Sequence, residues 1–133
     1  MTAFGCALIA LGGALGALAR YGLTVWVQQR LLPNSTFPWG TFIINVSGSF
    51  LLGLTVTLVG SRVLGPQWRP FFATGFLGAY TTFSTFEYET AQISSSWRAM
   101  ANLVGSVAVG YAAVLLGARL AEIVEAGAKV TAR

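Results

Sequence analysis

The sequence predicts an all-α integral membrane protein of four transmembrane helices, the third of them broken near mid-membrane. Three observations carry this. Of 133 residues, 55% are hydrophobic and only 9% are charged, against roughly 25% charged in a soluble domain. A chain this short still exposes much of its surface, so the apolar excess cannot all be core and must face lipid. Four apolar stretches reach the ~20 residues a helix needs to cross a bilayer, and short polar segments separate them. We read the chain as a single domain, 1–133, with spans at about 3–27, 39–60, 71–93 and 99–118 and a short C-terminal tail.

The first span has no basic residue before its apolar run. It is too long and too glycine-rich for a cleaved signal peptide, so it reads as a permanent helix. Gly12, Gly13 and Gly16 include a small-xxx-small pair, the usual signature of close helix packing. Cys6, the single cysteine, can form no internal disulfide and reads as a small apolar helix residue. Arg20, toward the end of the span, must snorkel, pair or bind something.

On the second span Thr41, Asn45, Ser49, Gly53 and Thr57 recur every four residues, which places them along one side of a helix. That stripe is either a packing face of small and hydroxyl residues or a polar track for a solute. Asn102, Ser106 and Gly110 repeat the spacing on the last span and could face the first stripe.

The third span carries GFLGAYTTFSTFEYE. Gly75 and Gly78 precede a run of hydroxyl and aromatic residues, all weak helix formers. A break here is tolerated only where its freed backbone groups are buried in protein or line a cavity, and freed carbonyls could ligate a hard cation. Phe83 and Phe86 would share a face if the helix resumes, and phenyl edges are electropositive. Glu87 and Glu89 follow, either at a vestibule or as a helix end in water.

The connections 28–38, 61–70 and 94–98 hold the punctuating prolines and serines. Trp26, Trp39, Trp68 and Trp97 all fall at span ends, where an indole satisfies both its apolar body and its N–H. An even span number puts both termini on one side. That side receives Arg62, Arg69, Lys129 and Arg133, an excess that points to the cytoplasm, although so few charges leave insertion in both directions open. The tail from Glu122 to Arg133 reads as a fraying helix outside the membrane.

Composition also excludes. With no histidine and no aspartate, an intramembrane enzyme lacks its usual base and nucleophile. The basic residues stand singly rather than clustered, which argues against nucleic acid as a partner.

GGALGALARY at 12–21, GTFIINVSGSFLLG at 40–53 and the third-span string together resemble the Fluc (CrcB) fluoride channels, over essentially the whole chain in length, span count and motif order. The resemblance implies an antiparallel, dual-topology homodimer in the bacterial plasma membrane, with two fluoride pathways and a structural sodium ion at the dimer interface. It further implies that Asn45 donates its amide N–H to fluoride, that Phe83 and Phe86 supply paired ring edges, and that the backbone carbonyls of Gly78 and Thr81 hold the sodium. Thr41, Ser84 and Ser106 would be nearby hydroxyls, Glu89 the acidic residue after the motif, and Arg20 the structural first-span arginine. The last span departs from the family pattern, since of its track only Ser106 keeps a hydroxyl. The partners expected are fluoride, an identical subunit and lipid. Two alternatives stand beside this one: a small proton-coupled multidrug exporter, whose first-span glutamate is missing here, and a non-transporting membrane assembly subunit.

Overall fold

The computed structural model describes residues 2–131; Arg133, counted above among the basic residues, lies outside them. Every regular element among the described residues is helical. Thr2 caps the first helix, its hydroxyl accepting from the Gly5 amide, so the chain turns into helix at Ala3 as an N-cap threonine dictates. Helix α1 runs Ala3–Trp26 and is prolonged by a wide π-helical turn, Val27–Leu31. Helix α2 is Trp39–Gly60. The third span opens as a π-helix, Arg69–Leu77, and passes directly into Gly78–Tyr80; together these are α3. Thr81 and Thr82 are extended. Helix α4 then runs Phe83–Ala91, and α5 is Ser96–Thr131.

Three helical stretches are long and apolar enough to cross a bilayer: Ala3–Leu31, Trp39–Gly60 and Ser96–Val130. The third span does not count among them because the extended pair divides it. Two boundaries differ from the sequence reading. The first helix continues past 27 to Leu31, and the last does not stop at 118. Most of residues 119–131 are good helix formers, with Ala, Leu, Glu, Lys and Arg at eight positions, and ion pairs Arg119–Glu122 and Lys129–Glu125, at helical spacing, brace them. The segment expected to fray is a regular continuation of α5.

Helix α1 lies along α3, and α2 along α5. Glycines set both contacts. A Cβ on Gly12 would stand 2.0 Å from the Phe71 carbonyl oxygen, and one on Gly16 2.1 Å from that of Phe76. On the other pair, a Cβ on Gly53 would meet the Val114 oxygen at 2.2 Å, and one on Gly117 the Phe50 oxygen at 2.0 Å. At those distances any side chain forces the backbones apart. The small buried core is Ile44, Leu77 and Tyr80, with Ala19, Leu23, Leu51, Phe72 and Phe76 against it. Phe72, Phe76 and Tyr80 stack successively, centroids 5.0 and 5.6 Å apart.

Outside this core the surface is apolar. Leu11, Leu15 and Leu18 of α1 and Val104, Val107, Tyr111 and Leu115 of α5 are exposed, a surface that water would reject and hydrocarbon accepts. All four tryptophans are exposed at helix ends, the position indoles take at a headgroup boundary.

Candidate functional site

The helix break is held by α2. Asn45 Nδ2 donates to the Thr82 carbonyl at 3.0 Å, and the Thr82 amide donates to Asn45 Oδ1 at 2.9 Å. One side chain thus satisfies both backbone groups of a residue that belongs to no helix, which is the condition for breaking a helix away from water. On the near side of the break the Tyr80 hydroxyl lies 3.0 Å from Ser47 Oγ. Between these bonds Gly48 gives room to the Thr81 methyl, which would lie 2.3 Å from a Cβ there. On the far side Thr82 caps α4, its hydroxyl accepting from the Thr85 amide and donating to the Thr85 hydroxyl. The break therefore falls at Thr81 and Thr82, not at the preceding glycines. Gly75 serves packing, with its missing Cβ 2.7 Å from the Ile9 oxygen, whereas Gly78 faces open space.

The clamp has a second effect. In an unbroken helix the Thr82 amide would bond the carbonyl of Gly78, four residues back. Asn45 takes that donor, and the Gly78 carbonyl is released at an open surface.

Beside the break is an open-sided hollow of about 400 Å³. Asn45, Gly48 and Ser49 line it from α2; Gly78, Thr81, Thr82, Phe83 and Phe86 from the broken span; Ser106, Gly110 and Tyr111 from α5. None of its lining residues is charged. The two four-residue stripes do meet here, a Cβ on Gly110 lying 3.6 Å from Ser49 Oγ. The Phe83 and Phe86 rings are 6.1 Å apart and inclined by 38°. Phe86 is 4% exposed and Phe83 68%, so one ring is fixed in the protein while the other stands at the open side. Gly53 of the same α2 stripe is pure packing, as its contact with Val114 shows.

The remaining expected residues lie elsewhere. Thr41 is buried at the start of α2, Ser84 is exposed on α4, and neither lines the hollow. Arg20 is half-buried on α1, away from it, and pairs with no carboxylate among the described residues. Glu89 lines a second hollow of about 240 Å³ beneath the 32–38 loop, with Gln28, Thr36 and Gln92. Its Oε2 is buried without a hydrogen-bond partner among the described residues.

Sequence reasoning missed three participants. Ser47 lies off the α2 stripe, and Tyr80 and Thr90 belong to no spacing that the sequence displays. Thr90 donates to the Phe86 carbonyl at 2.6 Å and accepts from Asn102 Nδ2 at 2.7 Å, while Ser106 donates to Asn102 Oδ1 at 3.1 Å. Asn102, 2% exposed, is therefore satisfied on both sides of its amide.

Long apolar helices, an apolar exterior and an uncharged hollow at a helix break, mostly apolar with a few polar groups on its wall, define a multi-pass membrane protein. The chain belongs to the CrcB family: the family model described as CrcB-like protein, Camphor Resistance (CrcB), matches residues 7–118. It is 53% identical over 113 residues to the fluoride-specific ion channel FluC of Acidobacterium capsulatum, a match covering 82% of this chain and 89% of that one. The protein of the same name from Solibacter usitatus is 49% identical over 118 residues, 86% and 95% of the two chains. That from Thermus thermophilus is 45% identical over 116 residues, 85% and 90%. These relatives are named as ion channels, not as enzymes.

Proposed function

We propose that the protein is a passive, fluoride-selective channel that lets fluoride leave the cytoplasm across the plasma membrane. The observation that carries this reading is the uncharged hollow in which Asn45, two phenyl rings and hydroxyls meet at a helix break, in a chain whose relatives bear the name fluoride-specific ion channel. A small, strongly hydrated anion must be offered replacements for its water. The Asn45 amide has two N–H groups; one bonds Thr82, which leaves the other for an anion in the hollow. The Phe83 and Phe86 rings add weakly positive edges, and Ser106 adds a hydroxyl. None carries a full charge, so an ion is not trapped and leaves quickly.

The driving force is external to the protein. Hydrofluoric acid is a weak acid that crosses membranes neutral and dissociates in the more alkaline cytoplasm, after which an inside-negative potential drives the anion out.

The open side of the hollow, where Phe83 and Tyr111 are exposed, suits a second, antiparallel copy closing four-span subunits into a dimer with two pathways. The carbonyls of Gly78 and Thr81 fit a hard cation such as sodium, since backbone oxygens are its preferred ligands and Asn45 has released the former from its helical bond. A cation bound there would favour anions nearby and tie the copies together.

Fluoride efflux from liposomes holding the purified protein, with potassium and valinomycin to carry the balancing charge, tests the reading. Fast fluoride release without chloride is expected; release of neither overturns it. The buried, unpartnered Glu89 oxygen favours one competitor, a proton-coupled carrier. That carrier would make flux depend on an imposed proton gradient, whereas a passive channel responds to voltage and fluoride alone.

A further inference from the structure

Resting on that reading of the hollow, we propose that Thr90, which does not line it, is a positioning residue of the pathway that sets which way the Ser106 hydroxyl points. The directions of three hydrogen bonds carry the argument. Ser106 donates to Asn102 Oδ1, Asn102 Nδ2 donates to Thr90 Oγ1, and Thr90 donates to the Phe86 carbonyl. In this arrangement the Ser106 proton points into the protein, and the hollow receives only its lone pairs, which repel an anion. Asn102 is 2% exposed, so if Ser106 simply turned its proton to an ion, Asn102 Oδ1 would be left buried and unpaired, an unfavourable outcome.

A second arrangement avoids that. If the Asn102 amide turns over, Nδ2 donates to Ser106 Oγ and Oδ1 accepts from the Thr90 hydroxyl, which leaves the Phe86 carbonyl. The Ser106 proton is then free to face the hollow. No proton changes its owner; one amide and two hydroxyls rotate. The requirement is a group at position 90 that both accepts from and donates to Asn102. Threonine and serine can do this, and valine, of nearly the same shape as threonine, cannot.

The test is fluoride efflux from liposomes for Thr90→Val, Thr90→Ser, Ser106→Ala and the double variant T90V/S106A, with chloride efflux as the control for gross disruption. Thr90→Val is expected to slow fluoride roughly five- to tenfold, the scale of one lost hydrogen bond, without admitting chloride. Thr90→Ser should restore wild-type flux. Because Thr90 acts through Ser106, the double variant should be no slower than Ser106→Ala alone. A merely structural role would make the two losses multiply, and that result overturns the proposal. So does wild-type flux in Thr90→Val, or a Thr90→Ser variant as slow as the valine. Where the valine variant does not purify as a monodisperse protein, Thr90→Ala removes the hydroxyl without bulk and is judged by the same outcomes. Conduction by the wild type together with its loss in Asn45→Asp keeps the pathway reading intact when Thr90 fails; a wild type that does not conduct overturns both.

Discussion

The α1–α3 contact and the α2–α5 hollow are built from the same kind of residue, small side chains recurring every four positions, and they do opposite things. Along α1, Gly12 and Gly16 have a neighbouring backbone oxygen where a Cβ would be, at 2.0 and 2.1 Å. The helices touch there with nothing between them. Along α5, Gly110 has Ser49 Oγ at 3.6 Å from the same virtual atom, an ordinary contact at the edge of open space. A small-residue stripe thus means either closure or room, and α2 does both within one stripe: Gly53 closes on Val114 while Asn45 and Ser49 border the hollow. The residue types do not distinguish the cases. What differs is the path of the facing backbone, which comes from another part of the sequence.

Substitution at the closed contact should produce the largest effect. In Gly16→Leu the side chain must displace the backbone of Phe76, which belongs to the broken span through Phe72, Phe76 and Tyr80. Overpacking costs ~1–3 kcal/mol where side chains can adjust, and here the obstacle is main chain. Loss of monodisperse protein in detergent, or a fall of about 10 °C or more in melting temperature, is expected. A Gly16→Leu protein as stable as wild type would show that α1 and α3 are not in contact as described.

At the open site function should fall before stability does. Asn45→Asp keeps an acceptor for the Thr82 amide but loses the donor to the Thr82 carbonyl, and it places a carboxylate where an anion must pass. Fluoride efflux should drop by on the order of a hundredfold with the protein still monodisperse. Asn45→Ala removes both clamp bonds, stranding two backbone groups at ~1–3 kcal/mol each, and should lower the melting temperature as well. Equal efflux in Asn45→Asp and wild type would reduce Asn45 to a clamp for the break.

Much of this was legible in the residues, and the remainder was hidden for identifiable reasons. The helices follow from apolar length, and a break in the third follows from GFLGAYTTFST. Its place at Thr81 and Thr82 follows from Thr82 acting as N-cap to Thr85, a local signal, and from Asn45, thirty-seven positions away. Periodicity gives the face of a helix and not what that face meets. That is why Asn45 reads from its spacing as a residue of a packing face or a polar track and not as the clamp of the break, and why Thr90, Ser47 and Tyr80 stand in no pattern. Helix α5 runs on past 118 because its alanines and paired charges satisfy a helix in water as well as in lipid.

The two phenylalanines separate packing from passage inside the hollow. Phe86, almost fully buried, should lose stability as well as flux when made isoleucine. Phe83, 68% exposed, should lose flux alone, by roughly fivefold if its ring edge is worth about 1 kcal/mol to the ion. Efflux and thermal melts on both variants read the difference. If Phe83→Ile conducts like wild type, the exposed ring belongs to a surface and not to the path.

The smallest effect expected is the most diagnostic of room. Gly110→Ser adds a hydroxyl within reach of Ser49, across a gap that accepts a Cβ at 3.6 Å. Glycine inside a helix costs ~1 kcal/mol relative to alanine, so the serine should leave stability unchanged or slightly raised. The same change at Gly117, on the same helix but 2.0 Å from the Phe50 oxygen, should destabilise it severely. In the hollow a further neutral donor changes the balance between holding and releasing a dehydrated anion, and a change in fluoride flux of about two- to threefold in either direction is expected. Were Gly110→Ser instead as damaging as Gly117→Ser, the gap beside Ser49 would be closed in the assembled protein, and the path would have to run along the phenylalanine side alone.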